Sequence, residues 1–268
     1  MTRPFYIVDA FTNKPFQGNP AAVVPLENWL PEELLQKIAC QNNLSETCFL
    51  VKSHKEHVDF EIRWFTPLVE VPLCGHATLA AGHVIFSHLL FPRDKLVLST
   101  KQRGVLSVSR SGENIYTLKL QAIEQCNIPI DDKVSSLLNL SILEAYRGEF
   151  TVFVLPDAQA VEKYVPNFSI LKEFGREVVI TSRGNSIGFQ RVDFVSRMFA
   201  PTIGINEDPF TGAAHAQLAP YWSLVLQKTE LRAAQIGRRK GFVDVSLQGS
   251  NVALTGSART YVVGELFV

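Results

Sequence analysis

A glutamate, a histidine and an aspartate in this chain each stand where a side chain could move or steer a proton. Glu46 lies between Ser45 and Thr47, on what reads as the short connection from a helix to a strand. Such a tether can aim a carboxylate at a bound molecule and let it give or take a proton. His76 falls in the first turn of a helix beginning at Gly75. The positive end of the helix dipole disfavours an imidazolium there and leaves a neutral ring able to exchange a proton near neutrality. Asp208, in EDPFTGAA, precedes a second helix beginning at Gly212. It is either a turn former before Pro209 or a group that orients a substrate amine or a catalytic proton. Both helix starts offer unpaired backbone N–H groups, and if they face one cleft they hold carboxylate oxygens without a lysine or arginine. Cys74 invites a thiol base at a helix N-terminus. The second helix has Thr211 in that place, which disfavours a symmetric two-cysteine racemase.

The elements that must position these groups come in two similar sets. Val58–Pro67 reads VDFEIRWFTP and Val192–Pro201 reads VDFVSRMFAP, and each window leads to a glycine-started apolar stretch, CGHATLAA and TGAAHAQL. The repeat predicts a duplicated domain. Pro31 opens a helix over PEELLQKIACQN that stops at Asn42 and Asn43. Thr47–Lys52 reads as strand, and Val58, Phe60, Ile62 and Trp64 alternate with polar residues as in a half-buried strand. From Gly75 the sequence is apolar nearly all round, so that helix has to be enclosed, as by a curled sheet or barrel. Later strands are expected at Phe242–Leu247, Val252–Thr255 and Thr260–Val268, and Pro220 is expected to kink or shorten the second helix. Gln121–Ile130 is the expected crossing between domains.

Composition narrows the partners. The 268 residues carry 26 basic and 26 acidic side chains, a balance that offers no field for nucleic acid or an anionic membrane surface. The one basic cluster, Arg238–Lys240, reads as a solvated turn. Four cysteines show no zinc or disulfide spacing, and neither a phosphate loop nor a dinucleotide fingerprint occurs, so no metal or cofactor is expected. Asp9 interrupts the N-terminal segment where a signal peptide would be apolar; the expected setting is reducing and cytoplasmic.

At this point the motifs carry a resemblance. DAFTNKPFQGNPAAVV, NLSET, RWFTPLVEVPLCGHATLA and FAPTIGINEDPFTGAAH run in order from Asp9 to His215. The chain closely resembles the PhzF-like phenazine biosynthesis proteins, particularly the animal members called phenazine biosynthesis-like domain-containing proteins. The resemblance implies the diaminopimelate epimerase fold: an α+β chain of two pseudo-repeated domains, each a barrel-like β-sheet around a central helix. The domains are expected at residues 1–120, carrying the glutamate, and 121–268, whose last strand returns to the first domain. In the family the glutamate of the SET motif is the acid/base residue, which falls on Glu46. The histidine of CGHAT and the aspartate of EDPxTG fall on His76 and Asp208, completing the expected catalytic set. Asn19, Gly75, Gly212 and Ala213 are the expected substrate-binding positions. Ala213 departs from the family's usual TGSAH and loses a serine hydroxyl, while its backbone N–H remains.

The function expected from both lines is a cofactor-independent isomerase that moves a proton on a small carboxylate-bearing metabolite in an inter-domain cleft. The alternative is a weakly catalytic member of the fold that binds a metabolite or a protein, which Ala213 supports. The expected partner is a small anionic metabolite, with no nucleic acid and no membrane; a homodimer is a possible assembly.

Overall fold

The computed structural model describes residues 2–184, 186–187 and 190–268. It divides into two compact units, Met1–Lys119 with Thr255–Val268, and Leu120–Leu254. The first unit contains β1 (Thr2–Ala10), β2 (Asn19–Leu26), α1 (Glu32–Asn42), β3 (Glu46–Lys52), β4 (Phe60–Phe65), β5 (Glu70–Val71), α2 (Gly75–Ser87), β6 (Lys95–Thr100), β7 (Val105–Gly112) and β8 (Ile115–Gln121). Strands β1–β2, β3–β4, β6–β7 and β7–β8 pair antiparallel, while β2–β3 and β4–β6 pair parallel across helical crossovers. The final strand, Asn251–Phe267, pairs with both β8 and β1 and closes a ring of eight strands.

Inside that ring runs α2. Every residue from Gly75 to Phe86 is buried, and the helix packs on β1, β2, β3 and β7. With no aspartate, glutamate, lysine or arginine and mostly apolar side chains all round, this segment loses water on every face only if a sheet encircles it. α1 lies outside the ring instead. Its buried stripe, Leu35, Ile38 and Ala39, meets Val24, Leu26, Phe49 and Phe65, and Asn43 ends it in a left-handed turn at φ 50°. Pro31 is the cap preceding this helix rather than its first residue.

The second unit repeats the plan strand for strand. It comprises β9 (Cys126–Asn127), α3 (Asp132–Leu138), β10 (Glu144–Arg147), β11 (Thr151–Val154), α4 (Ala158–Lys163), α5 (Phe168–Glu173), β12 (Val178–Arg183), the short antiparallel pair β13 (Ser186–Ile187) and β14 (Gln190–Arg191), β15 (Phe194–Ala200), β16 (Ile205–Asp208), α6 (Gly212–Leu226), β17 (Glu230–Gln235) and β18 (Gly241–Gln248). Pairing runs antiparallel β10–β11, parallel β11–β12, antiparallel β12–β15, parallel β15–β17 and antiparallel β17–β18, the same order as in the first unit. The two repeated windows are the same strand of the plan, β4 and β15. Their shared arginines do the same work: Arg63 binds Glu70 of β5 through Nε at 2.7 Å, and Arg197 binds Glu207 of β16 through Nε at 2.7 Å. Each guanidinium also lies 5.1 Å from the phenylalanine ring two residues on, Phe65 or Phe199.

Two expectations are corrected. Pro220 does not shorten α6, which continues to Leu226. Proline leaves the carbonyl four residues back without a helical donor, and here that carbonyl, Ala216 O, accepts from the Ile123 N–H at 3.2 Å. The last two expected strands are one, Asn251–Phe267 (β19). Gly256 lets it run through, because a Cβ there would fall 2.5 Å from Phe11 Cδ1. Among the described residues no helix is long and apolar enough to cross a membrane.

Candidate active site

In the first unit Glu46, Asn19, Cys74 and His76 meet at the start of α2. Cys74 is its N-cap, in extended conformation and with no side-chain cap hydrogen bond; Gly75 and His76 follow as the first helical residues. Glu46 is the first residue of β3, which corrects its expected place on a connecting loop. It stands in register with Ala21 of the parallel neighbour β2, so the sheet ladder holds its backbone. Its Oε2 lies 3.2 Å from His76 Nε2. On the other side of the ring, Asn19 Nδ2 lies 3.0 Å from His76 Nδ1, and Cys74 Sγ lies 3.4 Å from the same nitrogen. Donation by the Asn19 amide assigns the ring proton to Nε2, the nitrogen beside Glu46. All four side chains are buried.

Burial pushes the His76 pKa down to about 3, so the imidazole is neutral across the physiological range. The contact with Glu46 is therefore not an ion pair of the imidazolium. The expected neutrality of His76 stands, with burial as its cause.

Asn19 is delivered by a tight turn. Asp9 Oδ2 accepts from the Phe16 N–H at 3.0 Å, and Gly18 turns the chain at φ 62°, where an added Cβ would meet Ala10 O at 2.1 Å. Gly18→Ala is expected to destabilise the fold by at least about 1–2 kcal/mol, the cost of a side chain in the left-handed region. It should also displace Asn19 from the histidine. A urea midpoint equal to that of the unmodified chain would contradict this.

In the second unit, Asp208 ends β16 and Thr211 is the N-cap of α6. The Thr211 hydroxyl donates to Asp208 Oδ2. Gln235, fully buried on β17, donates from Nε2 to Asp208 O at 2.6 Å and accepts the Thr211 N–H on Oε1 at 2.9 Å, fixing the turn between them. Gly212 and Ala213 open the helix, with Gly212 buried and Ala213 partly exposed. His215 donates from Nδ1 to Thr211 O at 2.8 Å and stacks on Phe210 at 4.5 Å. Gln235 lies 27 residues from Asp208, and no local motif announces it. Cys74, weighed only as a thiol base, belongs to the His76 cluster.

Three buried histidines set an acid limit on the fold. His76 falls to about 3, and His83 and His215 each fall to about 4, with burial the leading cause in every case. An unfolded histidine titrates near 6.5. Between these values only the unfolded chain takes up the protons, so stability is full above about pH 6.5 and falls as the pH drops towards about 4. Each histidine contributes up to about 1.4 kcal/mol per pH unit within that window. Urea unfolding at about pH 7, 6 and 5 should show a steep loss, and flat stability would contradict the neutral burial of these rings.

Comparison with known proteins gives a consistent picture. The family model described as phenazine biosynthesis-like protein matches residues 8–264. An uncharacterised isomerase of Pseudomonas aeruginosa is 42% identical, covering 99% of each chain. The phenazine biosynthesis-like domain-containing protein of Homo sapiens is 36% identical, again covering 99% of each chain. The crystal structure of a PhzF-family phenazine biosynthesis protein from Enterococcus faecalis superposes with a TM-score of 0.92 at 43% identity, covering 100% of both chains.

Proposed function

The chain belongs to the family of phenazine biosynthesis-like proteins, and from that membership we propose that it is a cofactor-independent isomerase moving a proton on a small carboxylate-bearing metabolite. The observation that carries this reading is the Glu46 carboxyl, 3.2 Å from the ring of a buried, neutral histidine at the start of a buried helix. The Pseudomonas relative named as an isomerase supports the reaction class.

In the proposed reaction Glu46 takes a proton from a carbon next to an unsaturated or carboxyl-bearing centre and returns it at another carbon. His76 positions that carboxyl and takes part in proton traffic through Nε2, while Asn19 holds its other nitrogen. The first N–H groups of α2 at Gly75 and His76 receive a substrate carboxylate, where the dipole favours negative charge. Asp208, held by Thr211 and by the Gln235 bonds to its turn, is proposed as a second orienting group, with Gly212 and Ala213 as backbone donors.

Solvent deuterium tests the reaction class. Incubated in heavy water with candidate unsaturated and amino-bearing carboxylates, the protein should place deuterium on a substrate carbon. A second reading, a binding protein on the same fold, is favoured by Ala213, which lacks the hydroxyl of the family's TGSAH. A carboxylate that binds without any isotope exchange would support that reading instead.

A further inference from the structure

Trp64 carries a buried donor that its own surroundings leave idle. The chain has three tryptophans. Trp29 Nε1 donates to Glu61 Oε2 at 3.4 Å and Trp222 Nε1 to Thr181 Oγ1 at 3.1 Å, but Trp64, only 1% exposed, has no acceptor for its Nε1 among the described residues. A donor buried without an acceptor is costly to keep, so its use has to lie within reach.

Strand register defines that reach. Phe65 packs outside the ring with α1, so Trp64, its neighbour on β4, points into the ring. It stands opposite Cys48 on β3, whose Sγ donates to Ala77 O of α2 at 3.6 Å. Glu46 lies two residues before Cys48 on the same face, which makes Glu46 and Trp64 diagonal neighbours. Such pairs lie about 7–8 Å apart, a gap that long and aromatic side chains bridge. Glu46 therefore has His76 Nε2, 3.2 Å from its Oε2, as one donor and the indole N–H of Trp64 as another within its swing. We propose that Trp64 is a positioning residue that gives the Glu46 carboxylate a second seat, and that the carboxyl moves between His76 and Trp64 as it carries a proton from one substrate carbon to another.

The move between seats rests on the isomerase reading of Glu46. At His76 the carboxylate takes the proton: a C–H bond breaks, an O–H bond forms and the electron pair stays in the unsaturated system of the substrate. Beside Trp64 the O–H bond breaks and a C–H bond forms at the second carbon. The carboxylate regenerated there accepts the indole N–H, a donor fixed where the charge reappears. Substrate and protein each end with the number of protons they began with.

The second unit has the frame without the seat. By the same register Met198, opposite Val179, stands where Trp64 is opposite Cys48, and Glu177 stands where the first unit has Glu46. A thioether donates no hydrogen bond. Glu177 is partly exposed, and its Oε1 accepts from Thr202 Oγ1 at 3.1 Å instead. Of the two glutamates, the one beside a histidine also has the indole.

A proton–nitrogen correlation spectrum of the chain without substrate reads the seat in the absence of turnover. Its three indole resonances are assigned by Trp29→Phe, Trp64→Phe and Trp222→Phe. Glu46→Ala, which removes the acceptor, should move the Trp64 resonance upfield in both dimensions and leave those of Trp29 and Trp222 in place. A Trp64 resonance that stays put or moves downfield would overturn the seat. With a substrate that takes up deuterium, Trp64→Phe should slow formation of the isomerised product by about 10–100-fold, the worth of a hydrogen bond to a charged group, while deuterium still enters the first carbon near the parent rate. An equal fall in both rates, with native circular dichroism, would mean a packing role and overturn the proposal. Exchange that persists in Glu46→Gln would instead remove the proton-transfer reading and leave the indole shift as it was.

Discussion

Glu46→Gln is expected to lower solvent-isotope exchange into the substrate by about 10²–10⁴-fold, the usual contribution of a positioned general acid/base. The substitution keeps the shape of the side chain and removes its capacity to accept a proton. Glu46 begins β3 in register with Ala21, so the ladder fixes its backbone whichever side chain it carries. His76 is a poor replacement for the lost base. His76 holds its proton on Nε2 and has a pKa near 3, which makes its other nitrogen a weak acceptor already engaged by Asn19. The loss should therefore appear in turnover while circular dichroism remains native. A Glu46→Gln variant as fast as the parent would exclude Glu46 as the proton carrier.

Arg197→Met is expected to destabilise the second unit by about 3–5 kcal/mol, the cost of breaking a buried ion pair from one side. Its Nε and Nη2 bind both oxygens of Glu207 at 2.7 and 2.9 Å, and Nη1 binds Tyr164 O at 2.6 Å and Val161 O at 3.2 Å. The last two carbonyls lie at the C-terminal end of α4, where the helix has no donors of its own. Methionine fills the volume but leaves a carboxylate and those carbonyls without their donor. The equivalent Arg63→Met should cost less, because Arg63 binds no helix-end carbonyls and its carboxylate partner keeps a second cation. Lys101 still reaches Glu70 there at 3.2 Å, so the carboxylate keeps a cation. Urea unfolding followed by hydrogen exchange on peptides of each unit measures both, and an equal or larger loss for Arg63 would contradict the argument.

Much of the fold was legible because the duplication writes it twice. The windows VDFEIRWFTP and VDFVSRMFAP are β4 and β15, and the glycines predicted to begin helices at 75 and 212 do begin them. Hydropathy without a polar face told that the first helix is enclosed, since burial on all sides leaves no other composition stable. What escaped depended on partners distant in sequence. Glu46 begins a strand because β2 lies beside it, and Pro220 is tolerated because Ile123 supplies a donor to Ala216. Continuity of β19 through Gly256 depends on the ring of Phe11 beneath it. The roles expected of His76 and Asp208 rest on their places at helix starts and on the motifs CGHAT and EDPxTG. That Cys74 shares the His76 cluster with Glu46, and that Gln235 pins the Asp208 turn, are facts of three-dimensional closure that no local pattern encodes.

The ring of the first unit also sets a timetable for the ribosome. Its first strand, Thr2–Ala10, closes against Ala258–Phe267, so that strand waits for a segment made only after the whole of the second unit. At about 5–20 residues per second that wait is roughly ten seconds to a minute. During it, the backbone groups of β1 that will meet β19 present an open edge to other nascent chains. Leu120–Leu254, by contrast, emerges whole before Ala258–Phe267 does. The unit begun first is the one finished last.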